Sequence, residues 1–307
     1  MVGFGREIRD SAAMASAQSP LRGIAFMVLS VAIFCLMDVL VKLLAQTYHP
    51  FQVAFFRSLF ALVPIGVMVA ASGGMSVLKT RRFIGHAARS VVGIAALLMF
   101  FYSFAHMKLA DVVAIGFAGP LFITALSVPL LGEQVGWRRW SAVVVGFLGV
   151  MLVVNPGSGV FDPVAFIALG AALFYSFAVI VIRKLSVTES NSAIVFYFSI
   201  AATTVCGAMM PFLWITPTFE HLALLVLTGL LGGSAQYIMV EAFRWAQVSV
   251  LAPFEYTAIF FSLGFGYFLF GESASATMLA GVAIIAASGL YILHRETVRA
   301  GRAAVAS

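Results

Sequence analysis

Asp38, Arg57, Arg89 and Glu255 each stand inside a long apolar run of the sequence. A charge near the centre of a bilayer costs on the order of 3 kcal/mol on insertion scales, so each asks for a partner or a water-filled cavity. Such residues could carry two kinds of chemistry. Opposite charges can close and open a gate by making and breaking a pair, and a carboxylate such as Asp38 or Glu255 can carry a proton. Rise per residue gives their depths. Asp38 lies about 24 Å along a helix from Arg22, and Arg57 roughly 9 Å into the run that begins at residue 51, so these two share a level. Arg89, about 9 Å into the run from residue 83, shares a second level with Glu255, roughly 11 Å into the run from residue 248. Two layers of charge are what alternating gates require. Lys42, one turn beyond Asp38 on the same face, competes as its partner. Structural ion pairing, or snorkelling of long side chains to the headgroups, is the competing explanation.

The elements that position these residues follow from composition. The chain of 307 residues is 62% hydrophobic and only 10% charged, with a mean hydropathy of +1.06. A water-soluble domain would be about 25% charged. Ten apolar runs are found, at 22–44, 51–72, 83–106, 109–131, 136–154, 163–183, 193–214, 219–243, 248–270 and 275–294. About 20 residues at 1.5 Å each cover the hydrocarbon core, so each run predicts one transmembrane helix. The gaps hold Gly, Pro or charge, and none is long enough for a catalytic domain.

One stretch occurs twice. Leu109–Glu133, LADVVAIGFAGPLFITALSVPLLGE, is echoed by Gln247–Glu272, QVSVLAPFEYTAIFFSLGFGYFLFGE. Each copy carries an internal proline, Pro120 or Pro253, and closes on Gly-Glu. A proline in a packed membrane helix marks a kink beside a cavity. Residues 25–43 align with 165–183 at an offset of about 140, and 51–61 lie similarly over 192–202. The sequence therefore predicts an all-α integral membrane protein of ten transmembrane helices, built as two inverted five-helix repeats. Five is odd, so the second copy enters from the opposite side, and such a pair can present one central site to either face. The repeats span 22–156 and 163–295, with tails at 1–21 and 296–307. Of 18 Lys and Arg, 14 fall in alternate connections, two (Lys42 and Lys108) on the other side, and Arg57 and Arg89 within helices. By the positive-inside rule both termini are cytoplasmic. The pairs Gly229/Gly233 and Gly146/Gly149 predict close helix contacts.

Other functions are disfavoured by what the runs contain. The net charge of +6 is spread over short connections, which argues against nucleic acid. Cys35 and Cys206 read as packing residues without ligands at metal spacing. No phosphate-binding glycine loop is present, so ATP is not the direct energy source, and no hydrolase or metalloprotease pattern occurs. No cofactor and no metal are expected. Asp111, Glu133 and Glu272 read as interfacial caps, and Glu241 with Arg244 as a local pair. His86 and His106 have no carboxylate at relay spacing.

Two five-helix halves that each close on Gly-Glu resemble the drug/metabolite transporter superfamily, in its two-domain EamA-type permease form. Arg57, Ala110-Asp111-Val112-Val113-Ala114, Ala235-Gln236, Ala252-Pro253 and Glu255-Tyr256 add to the likeness over about residues 22–295. The resemblance implies the cell inner (cytoplasmic) membrane and a secondary carrier with alternating access. Its substrate would be a small polar or heterocyclic metabolite: amino-acid-like, a vitamin such as riboflavin, or nucleoside-like such as S-adenosylmethionine. A passive channel is the alternative, and a membrane-embedded enzyme on lipid-linked substrates a weaker one. The bilayer, protons or a counter-substrate are candidate partners, with monomer and homodimer both open. The resemblance also places Tyr102, Phe117, Tyr237 and Tyr256 on helices around the cavity. A Tyr hydroxyl in a dry bundle needs a hydrogen-bond partner, and Gln236 beside Tyr237 could supply one.

Overall fold

The computed structural model describes residues 20–132, 136–154, 163–245, 251 and 254–306. Residues 1–19 of the first tail, Glu133, the 155–162 connection and Pro253 lie outside the described residues, as does the side chain of Arg244, while Pro20 and Leu21 already belong to the first helix. Eleven helices of eight or more residues are described: α1 (Pro20–Leu44), α2 (Pro50–Ala71), α3 (Phe83–His106), α4 (Leu109–Gly116), α5 (Gly119–Leu131), α6 (Trp137–Val154), α7 (Val164–Leu185), α8 (Asn191–Ala208), α9 (Phe219–Trp245), α10 (Thr257–Phe270) and α11 (Ala276–Ala306). Seven spans are long and apolar enough to cross a membrane, α4 and α5 together making one, and three shorter apolar helices accompany them. No strand is found among the described residues.

The run at 109–131 is not one unbroken helix. It stops at Gly116 and restarts at Gly119, with Pro120 in the first turn of α5. The proline has no N–H to give and its ring would strike the carbonyl four residues back, so it is best placed in the first turn of a helix, although Pro64 and Pro129 are accommodated inside α2 and α5. The run at 193–214 is shortened in the same way. α8 ends at Ala208, and Pro211 follows in a separate single turn, Met210–Leu213. At the far end α11 continues to Ala306, through most of the segment expected as a tail.

The repeated Gly-Glu has a backbone cause. Gly132 and Gly271 both take left-handed conformations, with φ of 69° and 66°, and close α5 and α10. Their N–H groups bond back to Ser127 and Val128, and to Gly266 and Tyr267, satisfying carbonyls that the helix end leaves free.

Interior faces are built from small residues at helical spacing. On α7, Ala165, Ala168, Ala172 and Ser176 are buried, while Val63, Phe212, Phe260 and Phe268 are exposed on other helices. That arrangement suits a hydrocarbon surround, where helices gain more from close backbone approach than from hiding leucines. A Cβ at Gly229 would come within 2.9 Å of the Arg57 carbonyl, and one at Gly233 within 2.9 Å of the Ala61 carbonyl, so α9 lies directly on α2. A Cβ at Gly149 on α6 would meet the Gly281 carbonyl of α11 at 2.9 Å.

Packing pairs recur between the halves. α1 packs on α9 and α10; α7, its aligned counterpart, packs on α3 and α5. Even single bonds echo. Cys35 Sγ on α1 reaches the Ala258 carbonyl of α10 at 3.7 Å, and Ser176 Oγ on α7 donates to the Gly119 carbonyl of α5 at 3.0 Å.

Candidate functional site

The break in the first copy of the repeated stretch meets the start of α10 in the second. Phe117, at the break between α4 and α5, and Tyr256, at the start of α10, hold their rings 4.7 Å apart. These are matching positions in the two copies of the repeated stretch. A file of polar side chains runs past this point. Asp38 on α1 interacts electrostatically with Arg57 on α2 and with Cys35. Arg57 in turn repels Arg89 of α3. Arg89 interacts with Tyr175 of α7, and Tyr175 with Glu255 beside Tyr256.

None of this file forms the direct gate pairs expected from depth. Asp38 and Arg57 interact without a direct ion pair, and among the described residues Arg89 and Glu255 show no contact with each other, only a shared neighbour in Tyr175. Arg57 Nε and both Nε and Nη1 of Arg89 are buried without a hydrogen-bond partner among the described residues. Two glycines make room for these head groups. A Cβ at Gly232 on α9 would stand 3.3 Å from Arg57 Nε, and one at Gly93 would collide with Arg89 Nη1. The Arg89 guanidinium lies over the Phe198 ring, 3.9 Å from its centroid, in cation–π contact. Asp38, Arg57 and Arg89 are half-buried, whereas Glu255 is exposed and Tyr175 is 51% exposed.

The structure brings together Asp38, Arg57, Arg89, Phe117, Glu255 and Tyr256 of the expected set and adds Tyr175. Pro120 is half-buried at the helix restart. Tyr102 is part of a separate cluster, its ring 4.2 Å from that of His106. Gln236 is half-buried and Tyr237 partly exposed, with no bond between them among those described. Tyr175 was legible in principle, since it lies in an apolar run one turn before the position aligned with Asp38.

Lys42 is not the partner of Asp38. Its Nζ lies 2.9 Å from Glu272 Oε1, donates to the carbonyls of Met107 and Phe104, and stands 5.3 Å from the centroid of the Phe270 ring. Glu272 Oε2 accepts the Leu109 N–H at 2.8 Å, so this carboxylate caps the start of α4, a different helix from its own. Lys108 adds a bond to the Ser273 carbonyl at 2.9 Å. At the opposite end His86 does have a carboxylate, Glu189, 3.5 Å away and far along the chain.

A cavity of about 910 Å³ lies elsewhere, lined by Lys79, Arg81, Arg82, Phe83, Glu189 and Tyr197 among others. It contains no member of the central file. Its walls are helix ends and connections, where basic residues and open space are ordinary at a membrane surface. The unpartnered interior charges point to ligand chemistry more strongly than this shape does. Among the described residues no group of three or more His, Cys, Asp or Glu could hold a metal ion.

A multi-span helical bundle with an interrupted helix and a charged interior is the architecture of a membrane transporter. The chain belongs to the EamA-like transporter family, whose profile matches residues 21–155 and 163–293. It is 30% identical to the S-adenosylmethionine uptake transporter of Rickettsia prowazekii (strain Madrid E), over 90% of this chain and 94% of that one. It is 29% identical to the pseudopaline exporter of Pseudomonas aeruginosa (strain UCBPP-PA14), over 86% and 93%. One crystallised chain shares the fold at a TM-score of 0.62 and 16% identity, covering 92% of this chain and 98% of its own. The protein is a multi-pass membrane transporter of metabolites.

Proposed function

We propose that this protein is a secondary carrier of the inner membrane that moves a small polar metabolite by alternating access. Ten transmembrane helices form two inverted repeats, 22–156 and 163–295, with both termini cytoplasmic. The observation that supports this most is the set of packing pairs that survives exchange of the halves: α1–α9 matches α7–α3, α1–α10 matches α7–α5, and α6 packs on α11. Two halves that make the same contacts can trade conformations, which opens one central site first to one face and then to the other. Asp38, Arg57, Arg89, Glu255, Tyr175 and Tyr256 line the path.

One relative is named for uptake and another for export, so direction follows from the gradient or counter-substrate rather than from the fold. Purified protein in liposomes loaded with a cell metabolite extract is expected to show counterflow: unlabelled substrate on the far side accelerates labelled uptake. A passive channel gives no acceleration. Cysteine accessibility is expected to place both termini and residues 79–82 in the cytoplasm and residues 155–162 outside. Finding 155–162 on the cytoplasmic side would overturn the inverted arrangement.

A further inference from the structure

We propose that Arg57 and Arg89 jointly seat an oxyanion of the transported molecule, and that this molecule is a zwitterion whose cationic nitrogen faces Asp38 or Glu255. The proposal rests on the carrier reading and names the chemistry of its substrate.

Three observations carry it. The first is unfilled hydrogen-bonding capacity. Arg57 Nε and Arg89 Nε and Nη1 are buried and have no partner among the described residues. Buried donors are otherwise almost always satisfied, and a guanidinium is matched in shape to carboxylate, phosphate or sulfonate oxygens.

The second is placement. Gly93 and Gly232 leave space for the two head groups, and Phe198 supports that of Arg89 from below. The guanidiniums are therefore held in the bundle and not reaching for the headgroups. Both are cations close enough to feel each other, and an anion held by both would relieve that repulsion.

The third is charge balance. Asp38 and Glu255 flank the arginines, the first beside Arg57 and the second beyond Tyr175. When both carboxylates are ionised, the state that a facing cationic nitrogen favours, they and the two guanidiniums sum to zero. A net anion or cation entering this file would leave an unbalanced charge in low dielectric. A zwitterion adds one group of each sign and leaves the balance unchanged.

Two measurements test this. In the first, wild type, Arg57→Met and Arg89→Met are melted in detergent without added metabolite. Arg89→Met, which removes a charge with no carboxylate opposite it, is expected to leave the midpoint unchanged or raise it, whereas Arg57→Met also strips Asp38 of its cation and is expected to lower it. A fall of several degrees in both variants makes the arginines structural and overturns the proposal. The same melts in sodium sulfate, against sodium chloride at equal ionic strength, are expected to show a gain in wild type that both variants lack. An equal gain in all three also overturns it.

The second measurement is an untargeted comparison of metabolites in cells with and without the protein. The compounds that shift are expected to carry both an oxyanion and a cationic nitrogen. Their binding should weaken about tenfold or more in Arg57→Gln and in Arg89→Gln. A shifted compound with no oxyanion overturns the zwitterion while upholding the carrier. If no compound shifts and counterflow is absent, the carrier reading itself fails, and the melts then decide on the arginines alone.

Discussion

Replacing Glu272 with glutamine is expected to destabilise the bundle by about 3–5 kcal/mol, read as a lower melting temperature in detergent. The loss is large because Lys42 is only 7% exposed and would keep its charge with its ion-pair partner gone, leaving only the more distant Asp111, which Lys108 also draws. Its remaining partners, the carbonyls of Met107 and Phe104, satisfy donors but do not neutralise the ammonium. The Leu109 N–H would also exchange a carboxylate oxygen for a weaker amide one. Lys42→Met combined with Glu272→Leu is expected to recover most of the loss, because replacing both members of a buried pair by apolar groups removes two desolvation penalties together. A double variant as unstable as Glu272→Gln would show that packing around the pair, and not its charge, sets the effect.

The same contact bears on conformational balance. Lys42 and Glu272 tie the end of α1 to the end of α10 and, through Leu109, to the start of α4. In the carrier reading that end faces outward. A contact made only when that side is closed stabilises one of two states, so weakening it shifts the population toward opening there. Spin-label pairs across that end of the bundle are expected to lengthen in Glu272→Gln.

Which features the sequence disclosed follows from their range. The break at residues 117–118 and the left-handed caps at Gly132 and Gly271 depend on proline and glycine acting within one turn, so they can be read locally. The Gly229 and Gly233 contacts follow from helical spacing alone. Lys42 shows the limit. Its neighbour at helical spacing is Asp38, which suggests a pair, but a long side chain near a helix end can equally turn to the carbonyls of an adjacent corner, and only the fold brings Glu272 there. His86 and Glu189 were hidden for the same reason. Depth counting put Asp38 level with Arg57 and Arg89 level with Glu255, yet it carried no rotational information. The structure instead supplies a continuous file in which Arg57 and Arg89 also interact. Tyr175 had one signal, its place a turn before the position aligned with Asp38, but its part in the file depends on helices from both halves, which only the fold brings together.

Gly93→Ala is expected to cut transport on the order of 10²-fold while leaving the fold intact. Gly93 lies one turn from Arg89 on the same helix, and a Cβ there would occupy the place of Arg89 Nη1 and approach Phe198 Cε2 to 2.9 Å. The obstacle is the far end of a flexible side chain, so the head group can yield by swinging away. Alanine also favours a helix over glycine by about 1 kcal/mol, which offsets the small shift asked of the Phe198 ring. Stability is therefore expected to hold or rise. Function depends on where the guanidinium sits, and a displacement of about 1 Å at a positioning group can cost 10²-fold in rate. The measurement pairs a detergent melt with transport of whichever metabolites the protein shifts in cells. Full transport would show that Arg89 need not occupy its place over Phe198. A joint fall in melting temperature and transport would assign Gly93 to packing. Transport lost at unchanged stability is the result that places the Arg89 head group in the path of the substrate.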